Sequence, residues 1–310
     1  MVVQLYVGTE RGLFTLREAR RDWQQTHTTL ERRRIVALDY NRSSPSLLYI
    51  AADNEGIYSS SDAGNSAIFR VGGDAHCVHV RRDAPKTIYA GMDRAMVWAS
   101  GDGGDHWERL DTFRELWGDP EAVARQPRPR GIVRTVIGVP EEKYGILAGL
   151  DPEGLAFSLD DGHIWNYVES SPPGIRALAV NPANRASLYA ATDSGIWRSI
   201  NGGNDWIESN IDLPAGAVTW VSATADDLFT CVGDTLYRAP QGVPIWRPIA
   251  TAPTARMTAI AIDDTDRRLS GNLYYGTHEG TIIRSTDGGT TWAEIAHGLP
   301  PIHCVIVTQE

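Results

Sequence analysis

The sequence predicts an all-β fold, a single seven-bladed β-propeller, on three observations: a recurring turn motif, a near-constant spacing of its copies, and an apolar strand left over at the C-terminus. The motif is Ser-x-Asp-x-Gly-x-x-Trp. It stands at residues 100–107, 158–165 and 285–292, and at 199–206 with Asn201 in the aspartate's place. A weaker copy, Ser60-Ser-Asp62-Ala-Gly64, has Ala67 where the tryptophan belongs and Phe69 just after.

The aspartate position falls at 62, 102, 160, 201 and 287, giving intervals of 40, 58, 41 and 86. The last interval is two periods of 43, and a decayed copy stands inside it at Gly233-Asp-Thr-Leu-Tyr237, followed by Trp246. Another decayed copy opens the chain between Leu5 and Phe14, with Trp23 following. Seven units result.

Each unit has one order. An apolar stretch such as Ile175-Arg-Ala-Leu-Ala-Val180 comes first, then Leu-Tyr-Ala-Ala at 188–191 and a polar turn. Gly195-Ile-Trp-Arg-Ser199, the motif turn and a strand led by Trp206 complete it. Four short strands per period read as one propeller blade. Alternation such as Ala-Leu-Ala-Val suits an inner strand packed on both sides. The first unit starts at its second strand, while Ile302-His-Cys-Val-Ile-Val307 is a first strand with no unit of its own. Pairing the two completes seven blades and removes two sheet edges. The 58-residue interval marks an insertion at about 110–130, between the third and fourth blades of this 1–310 domain.

The motif has a structural account. The Asp side chain accepts backbone N–H bonds inside its own turn, Gly supplies positive φ, and Trp buries a large ring between sheets. These residues resemble the Asp-box, or BNR-repeat, propellers: sialidases, family 74 glycoside hydrolases, sortilin-type receptors and the photosystem II assembly factor family. The resemblance covers essentially the whole chain and implies the fold. It leaves the activity open, because the superfamily holds hydrolases, receptors and assembly factors. It also implies that the turns lie opposite the ligand face, which makes Asp62, Asp102, Asp160, Asn201 and Asp287 structural. No Arg-Ile-Pro element of a sialidase occurs, and a family 74 enzyme uses two propellers where this chain supplies one.

Composition limits the partners. The 310 residues carry a net charge of −10, with 22% charged and 42% hydrophobic residues. That balance argues against wrapping nucleic acid, which needs many cations against phosphates. No apolar run approaches the roughly 20 residues that cross a bilayer, and no signal peptide is visible. The expectation is a cytoplasmic protein, or a secreted one if a leader has been removed. Cys77, Cys231 and Cys304 are too few and too odd in number for a disulfide framework. No phosphate loop, nucleophile elbow or zinc-protease motif occurs, so no cofactor is expected. His76-Cys77-x-His79 and His303-Cys304 lack a zinc spacing, and strand neighbours point to opposite faces; no metal is expected.

Aligning the first strands sets His303, Val36, His76, Arg134, Arg176, Thr219 and Thr258 at one level, with Arg34 and Arg256 just before it and Trp220 just after. Arginine suits bidentate contact with carboxylate or phosphate. The leading expectation is therefore a binding or assembly module that takes an anionic small molecule, glycan or protein surface at an arginine-rich mouth. Its ligand residues are Arg34, His76, Arg134, Arg176, Trp220, Arg256 and His303. Within the insertion, Trp117, Arg128 and Arg130 are expected to form a lid. The alternative is a glycan-acting hydrolase or lyase. It would draw its carboxyl groups from the within-blade turns: Asp53, Glu55, Asp93, Glu153 or Glu279.

Overall fold

The structure is a computed structural model that describes residues 2–19, 22–110, 113, 116, 131–139, 145–242, 244–249, 256–263 and 272–309. It is all-β, with seven four-stranded sheets that are the blades of a seven-bladed β-propeller. No helix among the described residues is long and apolar enough to cross a membrane. The chain divides into two compact units. The first is Met1–Gly72, Gly233–Leu236 and Pro248–Glu310, and the second is Gly73–Val232 and Tyr237–Arg247.

The first unit opens with β1 (Val3–Thr9), β2 (Gly12–Ala19) and β3 (Asp22–Thr29), followed by the sheet of β4 (Ile35–Tyr40), β5 (Leu48–Ala52), β6 (Gly56–Ser60) and β7 (Ile68–Gly72). The second unit contains β8 (Ala75–Val80), β9 (Ile88–Met92), β10 (Met96–Ser100) and β11 (Glu108–Arg109), then β12 (Ile132–Gly138), β13 (Ile146–Asp151), β14 (Gly154–Ser158) and β15 (Asn166–Tyr167). It continues with β16 (Ile175–Val180), β17 (Leu188–Thr192), β18 (Gly195–Ser199) and β19 (Ile207–Glu208). The next sheet is β20 (Val221–Ala223), β21 (Asp227–Val232), β22 (Thr235–Pro240) and β23 (Arg247–Pro248). Back in the first unit stand β24 (Met257–Ile262), β25 (Leu273–Thr277), β26 (Ile282–Ser285) and β27 (Ala293–Ala296). Last comes β28 (Ile302–Gln309), which joins the opening strands in the order β28-β1-β2-β3. Its register runs from Val3 opposite Gln309 to Gly8 opposite Cys304. The expected closing strand is thus in place.

Burial follows position in the blade. The second strands β5, β9, β17 and β25 are buried at every residue, because neighbouring sheets cover both of their faces. The fourth strands β11, β15, β19 and β23 are two exposed residues each. In β16 Ile175 is buried and the other five residues are half-buried. Ala177 and Ala179 pack against the cluster that holds Val221 and Tyr237, and Leu178 and Val180 against the one that holds Ile137 and Leu147, so this inner strand is packed on both sides as its alternation suggests.

The five motif turns repeat one set of bonds. Ser158 Oγ donates to Asp160 Oδ1 at 2.8 Å and accepts from the Gly162 N–H at 2.9 Å, while Asp160 Oδ1 accepts from the Ile164 N–H at 2.8 Å. The same three bonds recur around Asp62, Asp102, Asn201 and Asp287. Gly162 has φ 88°, and its counterparts are likewise positive. Trp165 Nε1 donates to the Gly162 carbonyl at 3.0 Å, as Trp107, Trp206 and Trp292 do to theirs. Of the insertion, Leu110, Phe113 and Leu116 are described. Phe113 is fully buried and meets Trp165 edge-on at 4.6 Å.

Arg81 is a buried charge with no signal in the sequence. Arg81, 2% exposed, donates from Nε to Asp83 Oδ1 at 2.8 Å and from a terminal nitrogen to Asp83 Oδ2 at 3.2 Å. Another terminal nitrogen reaches the Gly145 carbonyl at 3.4 Å, so the side chain ties β8 to the strand pair beyond it. The Asp83 carboxyl is held below its ordinary range by this guanidinium.

Candidate functional site

The level picked out by aligning the first strands has a physical basis in the ladders. In β4, Ile35 pairs with Ala52 and Ala37 with Ala51, so Val36 is the extra residue of a β-bulge. The same skip falls at His76, Arg134, Arg176, Thr258 and His303. Six first strands therefore bulge at the aligned residue. A bulge removes its residue from the ladder and re-aims the side chain at the end of the sheet. The seventh does not fit: Thr219 and Trp220 precede β20, and the Trp220 carbonyl accepts from Thr230 Oγ1 at 2.7 Å.

Each bulge is opposed by a small residue. A Cβ added at Gly149 would lie 2.4 Å from Ile175 Cγ2, and one at Gly8 would lie 2.3 Å from Cys304 Sγ. Cys77 and Cys304 fill this close-packed position, and burial pushes both thiols up to about 12. They are poor ligands and poor nucleophiles at neutral pH. Within each of the five blades that carry both, the bulge and the motif turn lie at opposite ends. Ile35 of β4 pairs with the last residue of β5, whereas Leu48 at its start pairs with Ser60, which leads into the Asp62 turn.

In the first unit the bulge end holds a paired network. Arg34 donates from a terminal nitrogen to Asp53 Oδ2 at 2.7 Å, and its Nε lies 3.2 Å from Glu10 Oε2. His303 Nε2 lies 2.8 Å from Glu10 Oε2 and 3.3 Å from Arg34 Nε. Glu55 accepts from Arg33 Nε at 2.6 Å and from the Tyr58 hydroxyl at 2.7 Å. Arg256 is exposed, and its carbonyl accepts from the His278 N–H at 3.0 Å; Glu279 beside it is exposed too.

In the second unit, Arg134 and Arg176 converge on one carboxylate. Asp151 Oδ2 lies 3.4 Å from Arg134 and 3.6 Å from Arg176. Arg176 Nε also donates to Asp193 Oδ1 at 2.7 Å, a contact that raises the guanidinium further above its ordinary value. Arg134 is one-third exposed, yet its Nε is buried without a partner among the described residues. His76 Nε2 lies 4.0 Å from Asp74 Oδ1, and the Asp93 N–H donates to the Asp74 carbonyl at 2.9 Å. Glu153 stands beside Gly131, where an added Cβ would meet Glu153 Oε2 at 2.9 Å. Burial of Tyr167, and after it the Glu153 charge, push the phenol's pKa above its ordinary value.

The structure therefore brings Arg34 together with Asp53 and His303, and Arg134 with Arg176. It pairs these arginines with acids of the neighbouring turns, which composition could not assign. Trp117, Arg128 and Arg130 of the expected lid lie outside the described residues. The carboxyl groups with a resolved shift, Asp62, Asp83, Asp102, Asp160 and Asp287, all move downward. A glycosidase acid needs the opposite shift.

No protein-family model matches the chain, and no curated protein matches it in sequence. Its fold is similar to that of the GH74 xyloglucanase from Xanthomonas campestris, at 18% identity and a TM-score of 0.66 over 84% of this chain. It is also similar to YCF48 bound to a D1 peptide, at 16% identity and TM-score 0.62 over 84% of this chain, and to YCF48 from Cyanidioschyzon merolae, at 13% and 0.62 over 86%. The chain spans 45% of the length of that GH74 structure, and 81% and 87% of the two YCF48 structures. At these identities the likeness is one of fold.

Proposed function

We propose that this propeller is a binding or assembly module that captures an anionic group, a carboxylate or phosphate, at the bulge end of its second unit, with Arg134 and Arg176 as the anion contacts. The carrying observation is an unfinished clamp. Two guanidiniums face Asp151 at 3.4 and 3.6 Å, longer than the roughly 2.7–2.9 Å of a good charge-assisted bond. The Arg134 Nε beside them is buried without a partner among the described residues, and such a donor costs free energy until it finds an acceptor. An incoming oxyanion would supply shorter contacts to both arginines. Arg34 is a weaker candidate, because two carboxylates hold it, Asp53 at 2.7 Å and Glu10 at 3.2 Å, whereas Arg176 has one such close contact, to Asp193 at 2.7 Å, and the Arg134 ion pair to Asp151 is 3.4 Å long.

A protein is the favoured carrier of the anion. One solved structure of this fold holds a peptide, and the long coverage of the YCF48 chains supports the same reading. The test is a thermal-shift series with acidic peptides, citrate and inorganic phosphate. A ligand that binds only the native state raises its melting temperature. At least one anion is expected to raise the melt of the parent protein and to lose most of that effect in Arg134→Ala and Arg176→Ala. A parent protein indifferent to every anion sinks the proposal. A second arm incubates the protein with xyloglucan and other glycans. Release of reducing ends that disappears in Asp53→Asn or Glu153→Gln would establish the hydrolase instead.

A further inference from the structure

A cleft of about 350 Å³ in the first unit lies at the motif-turn end of its sheets, away from the bulges. Trp23 and Trp292 line it together with Glu18, Asp22, Arg284 and Glu294. Glu18 is the last residue but one of β2, Asp22 begins β3, and Glu294 lies on β27. The cleft thus runs between the first and last strands-three-and-four pairs of the chain.

Its lining already binds one guanidinium. Arg284 donates to Glu18 Oε1 at 2.7 Å, and its guanidinium carbon stands 5.7 Å from the Trp23 ring centre and 5.4 Å from that of Tyr274. A cation beside an indole, neutralised by a carboxylate, is a favourable arrangement. Among its described residues the rest of the cleft repeats those parts without a further cation. Trp292 is fixed by its Nε1 bond to the Gly289 carbonyl at 3.0 Å and by edge contact with Tyr275 at 5.1 Å. Asp22 uses Oδ1 to accept from the Trp23 N–H, and Glu294 uses Oε1 toward His297. Each of these carboxylates has a second oxygen to offer. With Glu18 and Arg284 cancelling, the described lining carries two negative charges, in a chain whose net charge is −10.

We propose that this cleft takes an arginine side chain from a peptide or protein partner, with Trp23 and Trp292 as the aromatic walls and Asp22 and Glu294 as the carboxylate contacts. Its volume is at the small end for ligand pockets and suits one or two long side chains rather than an extended metabolite. The planar guanidinium is chosen over ammonium because it stacks on an indole and bonds carboxylate with two donors. The site is separate from the anion contacts at Arg134 and Arg176. Arg20 and Arg21 adjoin Asp22 in the chain and lie outside the described residues.

The probe is a capped Arg-Gly-Arg peptide, with its citrulline counterpart as a neutral control of the same shape. Binding is followed by calorimetry and by the indole N–H signals of Trp23 and Trp292 in two-dimensional NMR. The arginine peptide is expected to shift both signals saturably at low salt. The double variant Asp22→Asn, Glu294→Gln is expected to bind about tenfold more weakly; both residues are exposed, and an unchanged melt verifies its fold. Arg176→Ala should bind the peptide as the parent does. In Arg20→Gln, Arg21→Gln, which lacks the flanking positive charges, the peptide is expected to bind at least as tightly. The proposal is overturned if the citrulline peptide binds as well as the arginine peptide, or if the arginine peptide leaves both indole signals in place.

Discussion

Ser158 makes the motif turn hold. Its buried hydroxyl serves the Asp160 carboxylate as donor and the Gly162 N–H as acceptor at once. Replacing it with alanine leaves both partners short inside the turn. Ser158→Ala is expected to destabilise the protein by ~1–3 kcal/mol, read as a lower urea midpoint at unchanged slope. Asp160 adds a pH dependence of known sign. Its carboxyl is held below the ordinary range, first by the Ile164 N–H and then by Ser158. A depressed folded-state value means that its contribution is intact above the ordinary aspartate range and is lost as pH falls through the lower folded value. Asn201 shows which part of the aspartate matters, since its Oδ1 accepts the same bonds without a charge. The carbonyl-like oxygen is the shared requirement, and the charge is an addition.

At the scale of the element, the bulged first strand separates packing from chemistry. Gly149 packs against it, and a methyl there would meet Ile175 Cγ2 at 2.4 Å and Thr135 Cγ2 at 2.7 Å. Gly149→Ala is expected to cost ~1–3 kcal/mol by overpacking. Arg176→Ala, at the bulge of the next blade's first strand, is expected to change stability by less than about 1 kcal/mol, because its ion pairs are solvated. Denaturant titration of the two variants checks the contrast. Much of this was legible in the sequence. The Ser-Asp-Gly-Trp spacing located the blades, and aligning the first strands put Val36, His76, Arg134, Arg176, Thr258 and His303 at one level, though the bulge that each of them forms was not legible. The alignment failed at Thr219 because β20 is only three residues long and starts beyond it. The pairing of Arg34 with Asp53 and of Arg176 with Asp193 was not legible. It depends on how two turns of neighbouring strands meet in space, and nearly every such turn carries an acid. Arg81 gave no signal either, since its partner Asp83 sits two residues on in an ordinary turn sequence.

On the scale of the whole molecule, β28 decides whether the opening sheet has four strands or three. Ile302, Val305 and Val307 are buried there, and the strand covers β1 from Val3 to Thr9. Removing residues 302–309 exposes that edge and the apolar surface beneath it. Three buried aliphatic side chains at about 1.5–3 kcal/mol each predict a melting temperature lower by about 10 °C or more, together with concentration-dependent association through the bare strand. Calorimetry and size-exclusion chromatography read the two effects. β28 is tied to its sheet by its ladder with β1. Separating residues 302–309 from the rest of the chain turns these eight residues into a detachable part. A synthetic peptide of that sequence, added to the shortened chain, should slot back in as a donor strand. The protein would then serve as a two-piece reporter, folded and bright in the melt only when the tag has found its receiver.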